Sequence, residues 1–195
     1  MQNYLLISLA VSFCAGLLLV FTKHWHGHFS LDHTHGVQKF HTKPTPRIGG
    51  VAVAAGLVAA WAWAPADVNA LLAPMLLAGV AAFVAGLAED VTKRVGVAAR
   101  LLATMLSGVA AWWLTGVALN RMDVPLLDDV VGWAPVAVAF TAFAVAGVAN
   151  AVNIIDGFNG LSSGTVLILL AALGAIAHGQ GDPALALTCA VVVMA

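Results

Sequence analysis

The chain has 195 residues, of which 62% are hydrophobic and only 9% charged, with a formal net charge of −1. Soluble domains carry about 25% charged residues, so this balance, with a mean hydropathy of +0.97, excludes an ordinary soluble domain and indicates an integral membrane protein. The net charge itself says little, because in a membrane protein the placement of charge outweighs its sum.

Apolar runs near the ~20 residues that cross ~30 Å of hydrocarbon recur along the chain, which predicts an all-α, polytopic transmembrane helical bundle forming a single domain over 1–195. The runs are continuous in Leu, Ala and Val, without the two-residue alternation of a β-barrel. Helices are expected at about 3–22, 48–64, 70–88, 100–119, 133–150 and 163–178, with a seventh starting near 184. The first run has no Lys or Arg before it and exceeds the h-region of a cleavable signal. The seventh run, 184–195, reaches only ~18 Å. It is expected to be truncated, with the 195 residues forming the first part of a longer protein.

Seven of the eight Lys and Arg fall in or beside two connectors: Lys23, Lys39, Lys43 and Arg47 in the first, Lys93, Arg94 and Arg100 around the third. Only Arg121 lies on the other side. The positive-inside rule then puts the loops at about 23–47, 89–99 and 151–162 in the cytoplasm and the N-terminus outside. Trp61, Trp63, Trp112, Trp113 and Trp133 come near the outer ends of spans, as an aromatic belt does. Cys14 and Cys189 lie inside apolar runs, giving neither a disulfide framework nor a zinc cluster.

The first cytoplasmic connector contains Lys39, His41, Lys43, Pro44, Pro46, Arg47, Gly49 and Gly50. The prolines favour extended backbone, and the glycines admit close approach of a partner at the start of the second span. The plain alternative for each cation is topology and attraction to anionic lipid. His24, His26, His28, His33 and His35 suggest a metal tract. With no Cys or paired carboxylates beside them, they are read as solvated surface.

The second constellation is Glu89-Asp90 followed by Lys93, Arg94 and Arg100. Adjacent carboxylates are unfavourable near lipid and at a helix C-terminus. Either they pair with Lys93 and Arg94 as a surface ion cluster, or they bind a divalent cation or take a proton beside cations suited to phosphate. The third spans 150–164. Asn150 and Asn153 share a helix face just before Asp156, and Gly157 and Gly160 permit a turn through Asn159.

Together the three connectors resemble the polyprenyl-phosphate N-acetylhexosamine-1-phosphate transferases, the family that includes WecA, TagO and MraY. Lys39, His41, Pro44, Pro46, Arg47, Gly49 and Gly50 are similar to its K-x-H-x-x-P-x-P-R-x-G-G element, in the form of the WecA and TagO branch. Glu89-Asp90 stands where the family has Asp-Asp, and 150–164 resembles N-x-x-N-x-x-D-G-x-D-G-L-x-x-G. Two departures are Glu89 for the first Asp of the pair and Asn159 for the second Asp of the turn. The family's later F-x-G-D-x-G element and its His-bearing sugar loop do not occur in these 195 residues, and the resemblance implies that both lie past Ala195.

The resemblance implies attack by polyprenyl (undecaprenyl) phosphate on the β-phosphorus of a UDP-N-acetylhexosamine, giving polyprenyl-diphospho-sugar and UMP, at the cytoplasmic face of a bacterial inner membrane. The role implied by the resemblance is initiation of cell-envelope polysaccharide or O-antigen synthesis. Mg²⁺, or Mn²⁺ in its place, is the implied cofactor, with Asp90 and Asp156 as its ligands. Glu89, Asp90 and Asp156 are then the catalytic candidates, and Lys39, His41, Arg47, Lys93, Arg94, Asn150, Asn153 and Asn159 the substrate-binding ones. The expected partners are both substrates and the bilayer, with no nucleic acid and a homodimer as the assembly to test. Competing readings are a lipid or solute transporter, a CDP-alcohol phosphotransferase, and a catalytically inactive membrane fragment or scaffold. The first predicts polar residues at mid-span, and the second predicts an Asp-Gly-x-x-Ala-Arg motif.

Overall fold

The computed structural model describes residues 3–30, 46–155 and 160–195. Within them the chain forms helices and no strand: α1 (Asn3–Phe21), α2 (Lys23–Ser30), α3 (Gly49–Trp63), α4 (Ala66–Thr92), α5 (Val97–Thr115), α6 (Leu127–Val131), α7 (Ala134–Ile154), α8 (Leu161–Gly179) and α9 (Pro183–Met194). This is the all-α membrane bundle that the composition predicts. Five helices, α1, α4, α5, α7 and α8, are long and apolar enough to span a bilayer, while α3 has 15 residues and α9 has 12. The second expected span is therefore shorter than a standard crossing, ~22 Å at 1.5 Å per residue.

Local chemistry sets the boundaries. Pro65, in extended backbone, starts α4, and the helix continues through Pro74. It closes at Lys93, whose left-handed φ of 55° lets its N–H donate to the Glu89 carbonyl at 2.7 Å. Thus α4 extends beyond the expected 70–88 and carries Glu89 and Asp90 in its last turn, where a loop over 89–99 was expected. Gly116, φ 70°, ends α5 in the same way. The first connector also differs from expectation, since it opens with helix α2. There His24 Nδ1 lies 3.1 Å from the Phe21 carbonyl and the ring meets Trp25 edge-on.

The helices pack as antiparallel neighbours: α1 on α3, α4 on α5, α5 on α7 and α8 on α9. Helix α9 also touches α1, α3 and α4, and α2 touches α4. The most buried cluster is Tyr4, Ala60, Val68, Leu72 and Val191, from α1, α3, α4 and α9. With no water to expel from lipid-solvated surfaces, such contacts rely on small residues and interhelical hydrogen bonds. Gly56 is one such contact: a Cβ there would lie 2.8 Å from that of Ser12 and 2.9 Å from the Ser8 carbonyl. The buried Ser8 hydroxyl donates to the Val191 carbonyl at 3.3 Å, and Ser12 to that of Met194 at 3.4 Å. These two bonds set α1 and α9 parallel.

At the end opposite Glu89 and Asp90, the Leu119 N–H donates to the Thr141 hydroxyl at 2.8 Å, and the Met122 N–H to Asp128 Oδ1 at 2.7 Å. Trp61, Trp63, Trp112, Trp113 and Trp133 all lie at this end, on the last turns of α3 and α5 and just before α7. Asp182 caps α9 by accepting from the Leu185 N–H at 2.9 Å, with Pro183 in the first turn. Asp182→Ala is expected to lower stability by about 1 kcal/mol. Thermal unfolding in detergent measures it; an unchanged midpoint would remove the cap from this account.

Candidate active site

Short turns bring the charged residues together. The 93–96 turn folds α5 back along α4, so the first turn of α5 sits beside the last turn of α4. Gly96, extended at φ −72° and ψ 158°, starts α5 and accepts from the Arg100 N–H at 3.1 Å. Arg100 Nη1 then donates to Glu89 Oε2. From the other side Arg47, just before α3, places Nε 3.3 Å from Asp90 Oδ1 and Nη2 3.9 Å from Glu89 Oε1.

These four side chains are between 20% and 33% exposed. That shielding separates them from Arg121 and Asp123 at the far end, which pair at 2.6 Å with about three quarters of each side chain in solvent. A half-shielded carboxylate pair held by two guanidinium groups is a stronger electrostatic unit than a solvated surface pair. Among the described residues, Glu89 and Asp90 form ion pairs with Arg47 and Arg100. Lys93 and Arg94 occupy the exposed turn, and the Arg94 N–H donates to the Thr92 hydroxyl at 3.3 Å.

Asn150 and Asn153 stand in the last turn of α7, half-buried and exposed respectively. Since α7 packs on α5 and runs antiparallel to it, both amides are at the same end as Arg47, Glu89, Asp90 and Arg100. Gly160, φ 78°, opens α8 at that end too. Lys39, His41, Asp156 and Asn159 lie outside the described residues, as do His33 and His35. Among the described residues, no group of three His, Cys, Asp or Glu side chains gathers. A Cβ on Gly49 or Gly50 would meet no described atom within 4 Å.

What sequence reasoning missed is the role of Arg100, which was placed in the second constellation but not among the candidate site residues, as the partner of Glu89. Its signal was position: four residues past a helix-starting glycine, after a turn too short to separate α4 from α5.

Comparison with known proteins bears on the same segments. A probable undecaprenyl-phosphate N-acetylglucosaminyl 1-phosphate transferase of Bacillus subtilis is 29% identical over 161 residues, covering 81% of this chain and 43% of that protein. An undecaprenyl-phosphate alpha-N-acetylglucosaminyl 1-phosphate transferase of Yersinia pestis is 28% identical over 152 residues, 78% of this chain and 41% of its own length. A phospho-N-acetylmuramoyl-pentapeptide-transferase of Clostridium perfringens is 29% identical over 89 residues, 46% of this chain and 28% of that protein. The chain thus spans less than half the length of each of these relatives. No solved structure gives a significant match. The sequence model described as Glycosyl transferase family 4 matches residues 72–195, which include Glu89, Asp90, Arg100, Asn150 and Asn153. With that match over more than half its length, the chain belongs to glycosyl transferase family 4.

Proposed function

We propose that the end of the bundle bearing Arg47, Glu89, Asp90 and Arg100 is part of the site of a membrane phosphosugar transferase. In this reaction an oxygen of polyprenyl phosphate attacks the β-phosphorus of a UDP-N-acetylhexosamine. The bond between that phosphorus and the bridging oxygen breaks, UMP leaves with that oxygen, and the sugar phosphate remains on the lipid as a diphosphate. The observation that carries the reading is the convergence of Arg47 on Asp90 and Glu89 at 3.3 and 3.9 Å, in a chain with only 9% charged residues. The names of the Bacillus and Yersinia relatives support undecaprenyl phosphate as acceptor and N-acetylglucosamine 1-phosphate as the group moved. Both organisms are bacteria, which supports a bacterial inner membrane, and the cationic cluster supports a cytoplasmic site.

Two phosphate groups of like charge must meet, so the site has to supply positive charge where charge builds up. The guanidinium group of Arg47, with Lys39, Lys93 and Arg94, supplies the cations for this task. Phosphate monoesters have a second pKa near ~6, so the nucleophile is already mostly dianionic at neutral pH and needs little from a base. Asn150 and Asn153, with Asn159, offer amides to the nucleotide.

The carboxylate oxygens of Glu89 and Asp90 are hard donors, which fits a divalent cation such as Mg²⁺. Asp90 and Asp156 would hold it. Bound there, it would supply neutralising charge to the diphosphate.

The test is release of labelled UMP from UDP-N-acetylglucosamine by membranes carrying the full-length protein, with undecaprenyl phosphate and Mg²⁺. UMP release is expected to require the lipid phosphate and to fall about 100-fold or more when EDTA removes divalent cations. Release indifferent to the lipid, or no release with any UDP-N-acetylhexosamine, overturns the reading.

A further inference from the structure

We infer that Arg100 is a positioning residue for phosphosugar transfer: it acts through Glu89 to fix Arg47 and Asp90, and Glu89 is the hub of this relay and not a reacting group. The inference rests on the transferase reading and adds a division of labour inside the carboxylate pair.

The geometry is a chain of charged contacts. Arg100 donates to Glu89 Oε2, Glu89 Oε1 faces Arg47 Nη2 at 3.9 Å, and Arg47 Nε meets Asp90 Oδ1 at 3.3 Å. Both oxygens of Glu89 therefore face guanidinium groups, one from the start of α5 and one from the residue before the turn into α3. The Glu89 backbone is engaged as well, since its carbonyl accepts from Lys93 N–H where α4 ends. A carboxylate so enclosed, with a side chain 21% exposed, is placed to join three elements. Asp90 joins that chain through its contact with Arg47. A second contact stiffens the α4–α5 pair that carries the relay: the Ala82 N–H donates to the buried Ser107 hydroxyl at 3.1 Å.

Arg100 is thus linked to Asp90 by two intervening side chains. Loss of its guanidinium frees Glu89 to draw Arg47 away from Asp90. The turnover rate depends on sub-ångström placement, whereas ground-state binding of UDP-sugar or lipid phosphate does not use Arg100 directly.

The experiment measures kcat and KM for UDP-N-acetylglucosamine and undecaprenyl phosphate in membranes carrying the full-length protein as wild type, Arg100→Ala, Arg100→Lys, Glu89→Gln and the Glu89→Gln/Arg100→Ala double variant. Arg100→Ala is expected to lower kcat about 10- to 100-fold, with both KM values within about twofold. Arg100→Lys should recover most of the rate. The double variant should be no slower than Glu89→Gln alone, because residues acting as one unit are not additive. If Arg100→Ala does not accumulate in membranes, Arg100→Gln, which retains the stem, is read by the same criteria.

Effects that multiply in the double variant overturn the inference. So does a rise of about tenfold in either KM at unchanged kcat, which would put Arg100 on the substrate, and so does an Arg100→Ala rate equal to wild type. Wild-type membranes that release no UMP overturn the transferase reading itself and this inference with it. An active wild type with multiplying effects overturns the inference alone.

Discussion

Asp90→Asn in the full-length protein is expected to slow lipid-dependent UMP release about 100-fold or more while leaving membrane accumulation unchanged. The substitution keeps the shape of the side chain and removes its charge. It weakens the contact with Arg47 Nε, now 3.3 Å from Asp90 Oδ1, and removes a hard anionic donor from the proposed cation site. Removing one electrostatic element of a reacting site typically lowers kcat by about 10²–10³. Asp156→Asn is expected to act alike if both carboxylates serve the same cation. The measurement is UMP released per mole of protein, quantified by immunoblot of the same membranes. Wild-type rates in both variants would remove these carboxylates from the chemistry.

Gly108→Ala is expected to destabilise the bundle by about 1–3 kcal/mol, although it adds a single methyl group. A Cβ at Gly108 would lie 2.7 Å from the Ala142 Cα, 3.3 Å from the Val145 Cβ and 3.4 Å from the Ala142 nitrogen. Two of these three atoms are backbone, so no rotamer change relieves the contact and α5 must move away from α7. On the proposed function that movement also lowers activity, because α5 carries Arg100 and α7 carries Asn150 and Asn153. Gly79→Ala on α4 is the matched control. A Cβ there meets nothing within 4 Å, and alanine is favoured over glycine in a helix interior by up to about 1 kcal/mol. Thermal unfolding in detergent and specific UMP release should therefore both fall for Gly108→Ala and hold for Gly79→Ala. Equal behaviour of the two variants would show that the α5–α7 approach does not matter.

The helical class, the positions of most spans and the sorting of tryptophans to one end were legible because hydrophobic run length and aromatic placement are one-dimensional signals. The boundary at α4 was less so. Glu89 and Asp90 look like loop residues, since charge near lipid suggests that a span has ended. Yet the helix continues to Thr92 because Lys93 adopts a left-handed conformation and its N–H closes the last turn on the Glu89 carbonyl. The same limit applies to Arg100. Along the chain it is one cation among seven on that side, and only the tight 93–96 turn makes it the partner of a residue eleven positions earlier.

By itself the sequence determined a membrane-embedded helical bundle and singled out three polar segments as candidates for its chemistry, because lipid admits few polar groups and makes each one conspicuous. It also carried the family resemblance, through motifs whose order and spacing are linear properties. Only the tertiary structure decided which charges meet: Arg47 with Asp90 and Glu89, and Arg100 with Glu89. Ion pairing depends on distances of a few ångströms between side chains from different helices, and those distances follow from how α4 folds back on α5 and where α3 begins, not from any local pattern.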